Sequence, residues 1–390
     1  RYSTGSGMAR RTEGEEAESS RLLAADWGSD PHTAAFGPGS AQDGRDPSHK
    51  TSPPLWTWLL LIASVLAFSS SGIVFSMMPE VPAMTLAAWR LQMTTAIMIP
   101  AAVFEVVAQM DTNTRWRLAR AVWTLLLNGS LLALHFGLWV LSLKTTSLPH
   151  AMLFVCMAPV IVALSMWIMR QPISWGELGG TALGTAGAAL LALSSAHGGA
   201  AGPGAASWRG DLAALAAAAL FVAYLSIGRR LRAWMPIFTY STLVTGAGAA
   251  VLTLAAACIE GSTPRHDPRS THYGLFQWAS SASYFPKIAY LAVVPGILGH
   301  TGFNALVKYM DPLILTLVGT MEPLVGSFVG HAMGLVELPH PLTYIGGAVV
   351  LASTVIVSVA GHHRQKAEQK ESERLIRSKS HLTTASLQLT

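Results

Sequence analysis

Charge is what this chain has least of. Only 12% of its 390 residues are Asp, Glu, Lys or Arg, against about 25% in an ordinary soluble domain. No aspartate falls in the middle of an apolar run, and Glu322 and Arg90 are the only acid and the only Lys or Arg set deep inside one. There is no HExxH, no aspartate-rich metal motif and no Ser and His held at one depth, so a membrane-embedded enzyme is not expected. Glycine-rich filter loops and rings of like charge between the runs are also missing, which argues against a channel. Two cysteines, Cys156 near the middle of a run and Cys258 near the end of another, make no disulfide framework and read as small buried residues. The longest internal loop carries His266, Asp267 and His272, whose spacing matches no common zinc pattern, so neither metal nor cofactor is expected.

What is present is apolar: 51% hydrophobic residues and a mean hydropathy of +0.41. Ten runs stand out, at 55–77, 84–107, 121–142, 147–169, 175–195, 210–228, 237–259, 287–308, 312–333 and 342–361. Each is close to the roughly 20 residues that carry a helix across about 30 Å of hydrocarbon. Barrel strands would be half as long and would alternate. The expectation is an all-α, multi-pass integral membrane protein. Its net charge of +5 does not call for nucleic acid, because with ten crossings 20 of the 26 Lys and Arg fall on the side of the termini and 5 on the other. That bias puts both termini in the cytosol.

The runs form two halves of five. Leu134-His135-Phe136-Gly137-Leu138-Trp139, Lys144, Ala158-Pro159-Val160 and Glu177-Leu178-Gly179-Gly180 recur as Gly299-His300-Thr301-Gly302-Phe303-Asn304, Lys308, Glu322-Pro323-Leu324 and Tyr344-Ile345-Gly346-Gly347. His135 and His300 are 165 apart, Pro159 and Pro323 are 164, and Gly180 and Gly347 are 167, so one register runs through an internal duplication. An odd number of crossings per half turns the second copy upside down, giving two inverted five-helix repeats. The division is a polar N-terminal tail at 1–54, a first repeat at 55–195, a Gly/Ala-rich linker at 196–209, a second repeat at 210–361 and a basic C-terminal tail at 362–390. The N-terminal tail reads as disordered. The first methionine is Met8, so the true start is expected upstream, and with no cleavable leader evident the first apolar run is expected to be its own insertion signal. Gly176, Gly180, Gly184 and Gly187 fall on one face of helix 5, a close-packing seam that Gly346 and Gly347 suggest for helix 10 as well.

An ionisable group inside a bilayer needs a reason, since it costs a few kcal/mol or more. Glu105, Glu177, Asp211, Glu260 and Asp311 sit at helix ends, within reach of water. By the rise of about 1.5 Å per residue, Arg90 and Glu322 differ in depth by roughly 5 Å, within an arginine's reach. Two readings stand side by side. In one, Arg90, His135 or His300 holds a polar or anionic solute and Glu322 takes up a coupling proton. In the other, Arg90 caps carbonyls or pairs with a carboxylate, Glu322 bonds to Thr316 or Thr320, and the histidines pack. Trp139, Tyr224 and Phe303 could line a cavity with Asn304 at its edge, or could simply pack. Residues the two copies share read as scaffold, and unmatched positions, Ala158 against Glu322 and Trp139 against Asn304, read as specific.

At these residues the chain resembles the EamA-like transporters of the drug/metabolite transporter superfamily, over about 55–361. The resemblance rests on Gly210-Asp211-Leu212-Ala213-Ala214-Leu215, Gly228-Arg229-Arg230-Leu231, Leu298-Gly299-His300-Thr301 with Asn304-Ala305-Leu306, Met321-Glu322-Pro323-Leu324 with Glu337, Ala88-Trp89-Arg90 and Ala158-Pro159-Val160. It implies a ten-helix carrier whose helices 1, 3, 4, 6, 8 and 9 surround a central cavity, and a small organic solute such as an amino acid, metabolite or drug. Arg90, His135, Trp139, Tyr224, His300, Asn304 and Glu322 are then the candidate substrate residues. The expected partners are the solute and the lipid bilayer, with no nucleic acid and with a homodimer left open. The alternative is a non-transporting receptor, scaffold or regulator on the same fold.

Overall fold

A computed structural model describes residues 54–146, 148–197, 207–264, 273–334 and 341–388. The N-terminal tail, the middle of the linker, His266, Asp267, His272 and Glu337 lie outside the described residues. Among those described, the structure is helical, with one isolated bridge between Thr263 and Gly274. Among the described residues nine helices are long and apolar enough to cross a membrane: α1 (Leu55–Phe75), α2 (Ala83–Gln109), α3 (Val122–Thr145), α4 (Ala151–Ile168), α6 (Trp208–Arg232), α7 (Ile237–Ile259), α8 (Tyr284–Leu306), α9 (Pro312–Ala332) and α10 (Pro341–Glu368). The fifth expected run is also a helix, α5 (Trp175–His197). Trp123, Trp167, Trp175 and Trp208 are exposed at helix ends, the level at which tryptophan anchors a helix in the headgroup region. Gly361 is not a helix boundary, since the helix that starts at Pro341 runs on for 48 residues to Gln388.

The main pairings cross between the halves. Helix α2 packs along α7 and α5 along α10, while α1 packs on α8 just as α6 packs on α3. Exchanging the two halves turns this set into itself. The α5–α10 contact is the expected glycine seam: a methyl added at Gly176 would lie 2.7 Å from Ala360 Cβ, at Gly180 2.6 Å from Val357 Cγ2, at Gly184 2.5 Å from Ser353 Oγ and at Gly187 2.9 Å from the Gly346 carbonyl. With no hydrophobic gain between helices already in lipid, this closeness and its dispersion energy hold the pair together. Gly346 belongs to the seam, whereas Gly347 faces Leu324 of α9.

Carboxylates finish the frame, and here the expectation of water-exposed acids fails for two of them. Glu105 is 6% exposed and Glu177 is 1% exposed. Glu105, at the end of α2, accepts hydrogen bonds from Phe238 N (3.2 Å), Thr239 N (2.6 Å) and Thr239 Oγ1 (2.9 Å), which are the free donors at the start of α7. Glu260, at the end of α7, accepts from Met84 N (2.7 Å), Thr85 N (2.8 Å) and Thr85 Oγ1 (2.8 Å) at the start of α2. Helices α2 and α7 therefore run antiparallel, each start closed by the other's last acid. The first N–H groups of a helix have no partner within it, and in a bilayer water cannot serve them. Glu177, at the start of α5, is paired with Arg364 of α10 at 2.9 Å.

Candidate functional site

Proline builds the site. Pro159 has no N–H to give the Val155 carbonyl four residues earlier, and Pro323 has none for Gly319. Each helix accordingly stops and restarts: Leu148–Val155 then Ala158–Ile168 in the first half, Pro312–Gly319 then Glu322–Ala332 in the second. Helix α1 is also interrupted, at Ser70, whose hydroxyl donates to the Ala67 carbonyl at 2.7 Å. All three interruptions face one cavity of about 90 Å³, on the order of several water molecules. It is lined by Phe68 and Ser71 of α1, Arg90 of α2, His135, Phe136 and Trp139 of α3, Val155, Cys156 and Ala158 at the α4 break, Phe221 of α6, His300 and Phe303 of α8, and Thr316, Gly319, Thr320 and Glu322 at the α9 break. These are the six helices expected, with α2 added through Arg90.

Arg90 is 2% exposed. Its Nη2 donates to the Pro295 carbonyl at 3.2 Å, a group that lies on the wide π-helical turn Ala292–Thr301 around Pro295. The guanidinium stands 4.9 Å from the Phe136 ring centre and 5.8 Å from that of Phe75. Its Nε and Nη1 have no acceptor among the described residues. Glu322 lines the same cavity, yet no ion pair joins it to Arg90. The suggested hydroxyl partners of Glu322 are engaged elsewhere: Thr316 Oγ1 donates to the Pro312 carbonyl at 2.9 Å and Thr320 Oγ1 to the Leu317 carbonyl at 2.7 Å.

The two repeat-related histidines differ. His135 is held by its Nδ1, 2.9 Å from the Ala217 carbonyl of α6, and since a carbonyl only accepts, Nδ1 carries the proton. His300 contacts the rings of Phe68 and Phe136 at 6.2 and 5.2 Å and has no hydrogen bond to a described residue. Both line the cavity. Trp139 lines it too, with Phe75 at 6.3 Å. Tyr224 and Asn304 do not. They line a smaller adjoining pocket, which shares Arg90, Phe136 and His300 with the cavity, and they bond to each other, Tyr224 OH donating to Asn304 Oδ1 at 2.8 Å. The sequence assigns no cavity role to Phe68, Phe136 or Phe221 and reads Cys156 only as a small buried residue. The break before Ala158-Pro159 was the available signal for Cys156. Among the described residues no group of three or more His, Cys, Asp or Glu is placed to hold a metal.

The family model of the EamA-like transporters matches residues 55–193 and again 208–359. Among matching solved structures, one crystallised protein aligns with a TM-score of 0.59 over 78% of this chain and 98% of its own, at 18% sequence identity, a likeness of fold alone. No curated protein matches the chain by sequence. With both halves matched separately by one family model, this multi-pass membrane protein belongs to the EamA-like transporter family, in the drug/metabolite transporter superfamily.

Proposed function

We propose that the protein is a secondary transporter of ten membrane helices in two inverted five-helix repeats, with both termini in the cytosol, moving a small organic solute by alternating access. The observation that carries this reading is the position of the cavity: it sits where both proline-broken helices are interrupted and it holds both deeply placed charges, Arg90 and Glu322. Broken helices expose carbonyls and half-helix ends that a solute can use in mid-membrane. The exchange of α1–α8 for α6–α3, and the antiparallel α2 and α7, support the inverted arrangement. Helix α5, packed on α10, supplies the tenth crossing. In this reading Glu322 carries the coupling proton, and Arg90, His135, Trp139 and His300 contact the solute, with Tyr224 and Asn304 fixing the floor of the site from the adjoining pocket.

Flux in proteoliposomes tests it. Glu322→Gln should express and purify as the parent does but lose uptake driven by a proton gradient. Unchanged flux with unchanged pH dependence in that variant removes Glu322 from coupling. Absence of flux for every member of a broad solute panel would instead favour a receptor or scaffold role.

A further inference from the structure

We infer that the solute is a small organic anion with one carboxylate, which Arg90 takes up through Nε and Nη1, and an apolar body that lies among Phe136, Phe221 and Phe303. The inference rests on reading the cavity as the solute site and goes on to name the chemical class that fills it.

Arg90 carries the argument. A buried guanidinium whose N–H groups lack acceptors is strongly disfavoured, because each group gave up water without replacement. The two groups in that condition, Nε and Nη1, belong to a side chain that lines the cavity. The nearest carboxylate facing the same space, Glu322, is not within ion-pair distance. A carboxylate that enters the cavity would give these donors charge-assisted bonds, the strongest kind available to them. The two rings that flank the guanidinium at 4.9 and 5.8 Å, Phe136 and Phe75, hold it by cation–π attraction and leave its edge for the ligand.

The remaining walls narrow the class. Phe136, Phe221 and Phe303 offer apolar surface, and the Thr316 and Thr320 hydroxyls and His135 Nδ1 on the same walls are already bonded to backbone carbonyls, which suits a hydrocarbon or aromatic body better than a polyhydroxylated one. A cation could pair with Glu322 across the cavity but would be repelled by Arg90 and would leave its Nε and Nη1 without acceptors. A doubly charged phosphate would face a single arginine with Glu322 across the cavity, so the net field favours one negative charge over two. Amino acids fall inside the class when their side chain is apolar, since Arg90 would hold the same group.

The experiment uses the full chain, purified in detergent, and follows its melting in a matched series: phenylacetate, its neutral amide phenylacetamide, the cation phenethylamine, and phenyl phosphate. The expected result is saturable stabilisation by phenylacetate or by other apolar monocarboxylates in a wider panel, with little or none from the amide and the amine and less from the phosphate. Arg90→Gln should weaken the carboxylate's apparent affinity about tenfold to 100-fold, the loss of one charged hydrogen-bonding partner, with Arg90→Lys intermediate. The series on the parent protein needs no variant, so a misfolded Arg90 mutant does not spoil the test. Equal stabilisation by amide or amine, stronger stabilisation by the phosphate, or no response to any monocarboxylate overturns the inference. Carboxylate binding without flux would leave the anion site standing and sink the transport reading. Flux of neutral or cationic solutes without carboxylate binding would do the reverse.

Discussion

Glu105 and Glu260 close each other's helices: the acid that ends α2 caps the start of α7, and the acid that ends α7 caps the start of α2. A single carboxylate satisfies two backbone donors and one threonine hydroxyl at each end. The relation is what a two-fold exchange of the halves requires, and it fixes the register of α2 against α7 at both ends. Arg90 lies on α2, so this frame also sets the depth at which the guanidinium meets the cavity.

Glu105→Ala and Glu260→Ala should each destabilise the protein by about 1–3 kcal/mol, because each strands several buried donors. The caps stand roughly 31 Å apart along the α2 axis, so the double variant should show the sum of the two losses. Unfolding of the purified variants measures this. A loss in the double variant no greater than in either single one would mean that the caps do not act separately.

The five candidate side chains that line the cavity are ones that the scarcity of deep charge, the repeated histidines and the family resemblance single out. The duplication and the glycine seam come from repeated spacing along the chain. The reciprocal caps escaped it, although Glu105 and Glu260 occupy corresponding places in the two copies, because an acid at a helix end reads as hydrated unless its partner is known. That partner lies 134 residues away for Glu105 and 176 for Glu260. The same distance problem hid Arg364 from Glu177, and it hid the split between Tyr224–Asn304 and the main cavity. Whether a tyrosine faces a solute or an asparagine depends on which way two helices are turned about their axes, and an apolar run surrounded by lipid and protein carries little periodicity to say so.

Neighbouring glycines of α5 should respond oppositely to one added methyl. At Gly180 it would meet Val357 at 2.6 Å and Ile356 at 3.2 Å, whereas at Gly179 nothing lies within 4 Å. Gly180→Ala should therefore lower the melting temperature by forcing α10 outward, a loss of about 1–3 kcal/mol. Gly179→Ala should be neutral or slightly stabilising, since alanine is the better helix former by up to about 1 kcal/mol. Equal effects at the two positions would contradict the seam.

The Glu177–Arg364 pair should show strong coupling. Its side chains are 2% and 10% exposed, and Glu177 also accepts from Ser174 N at 2.8 Å. Arg364→Ala leaves a buried carboxylate without its cation and should cost about 3 kcal/mol. Adding Glu177→Gln to that variant should recover part of the loss, because the uncompensated charge is then gone. A double-mutant cycle that sums without interaction would show that the pair contributes only through its separate contacts.

Cys156 reports on the cavity directly. It is 6% exposed, sits at the α4 break and lines the cavity, while the other cysteine, Cys258, is exposed near the end of α7. In a Cys258→Ala background, a small methanethiosulfonate reagent should modify Cys156 slowly, and a solute shown to be transported should slow it further by filling the same space. Mass spectrometry of the intact protein follows the rate. Cys156→Phe should then abolish flux while the protein still purifies in one monodisperse form, because a ring at the break occupies much of a cavity of about 90 Å³. Modification at a rate indifferent to solute, together with full flux in Cys156→Phe, would show that the solute passes elsewhere. Protection of the thiol with flux intact would mean that the break yields as the helix moves, which alternating access allows only if α4 changes its shape at Cys156 in each cycle.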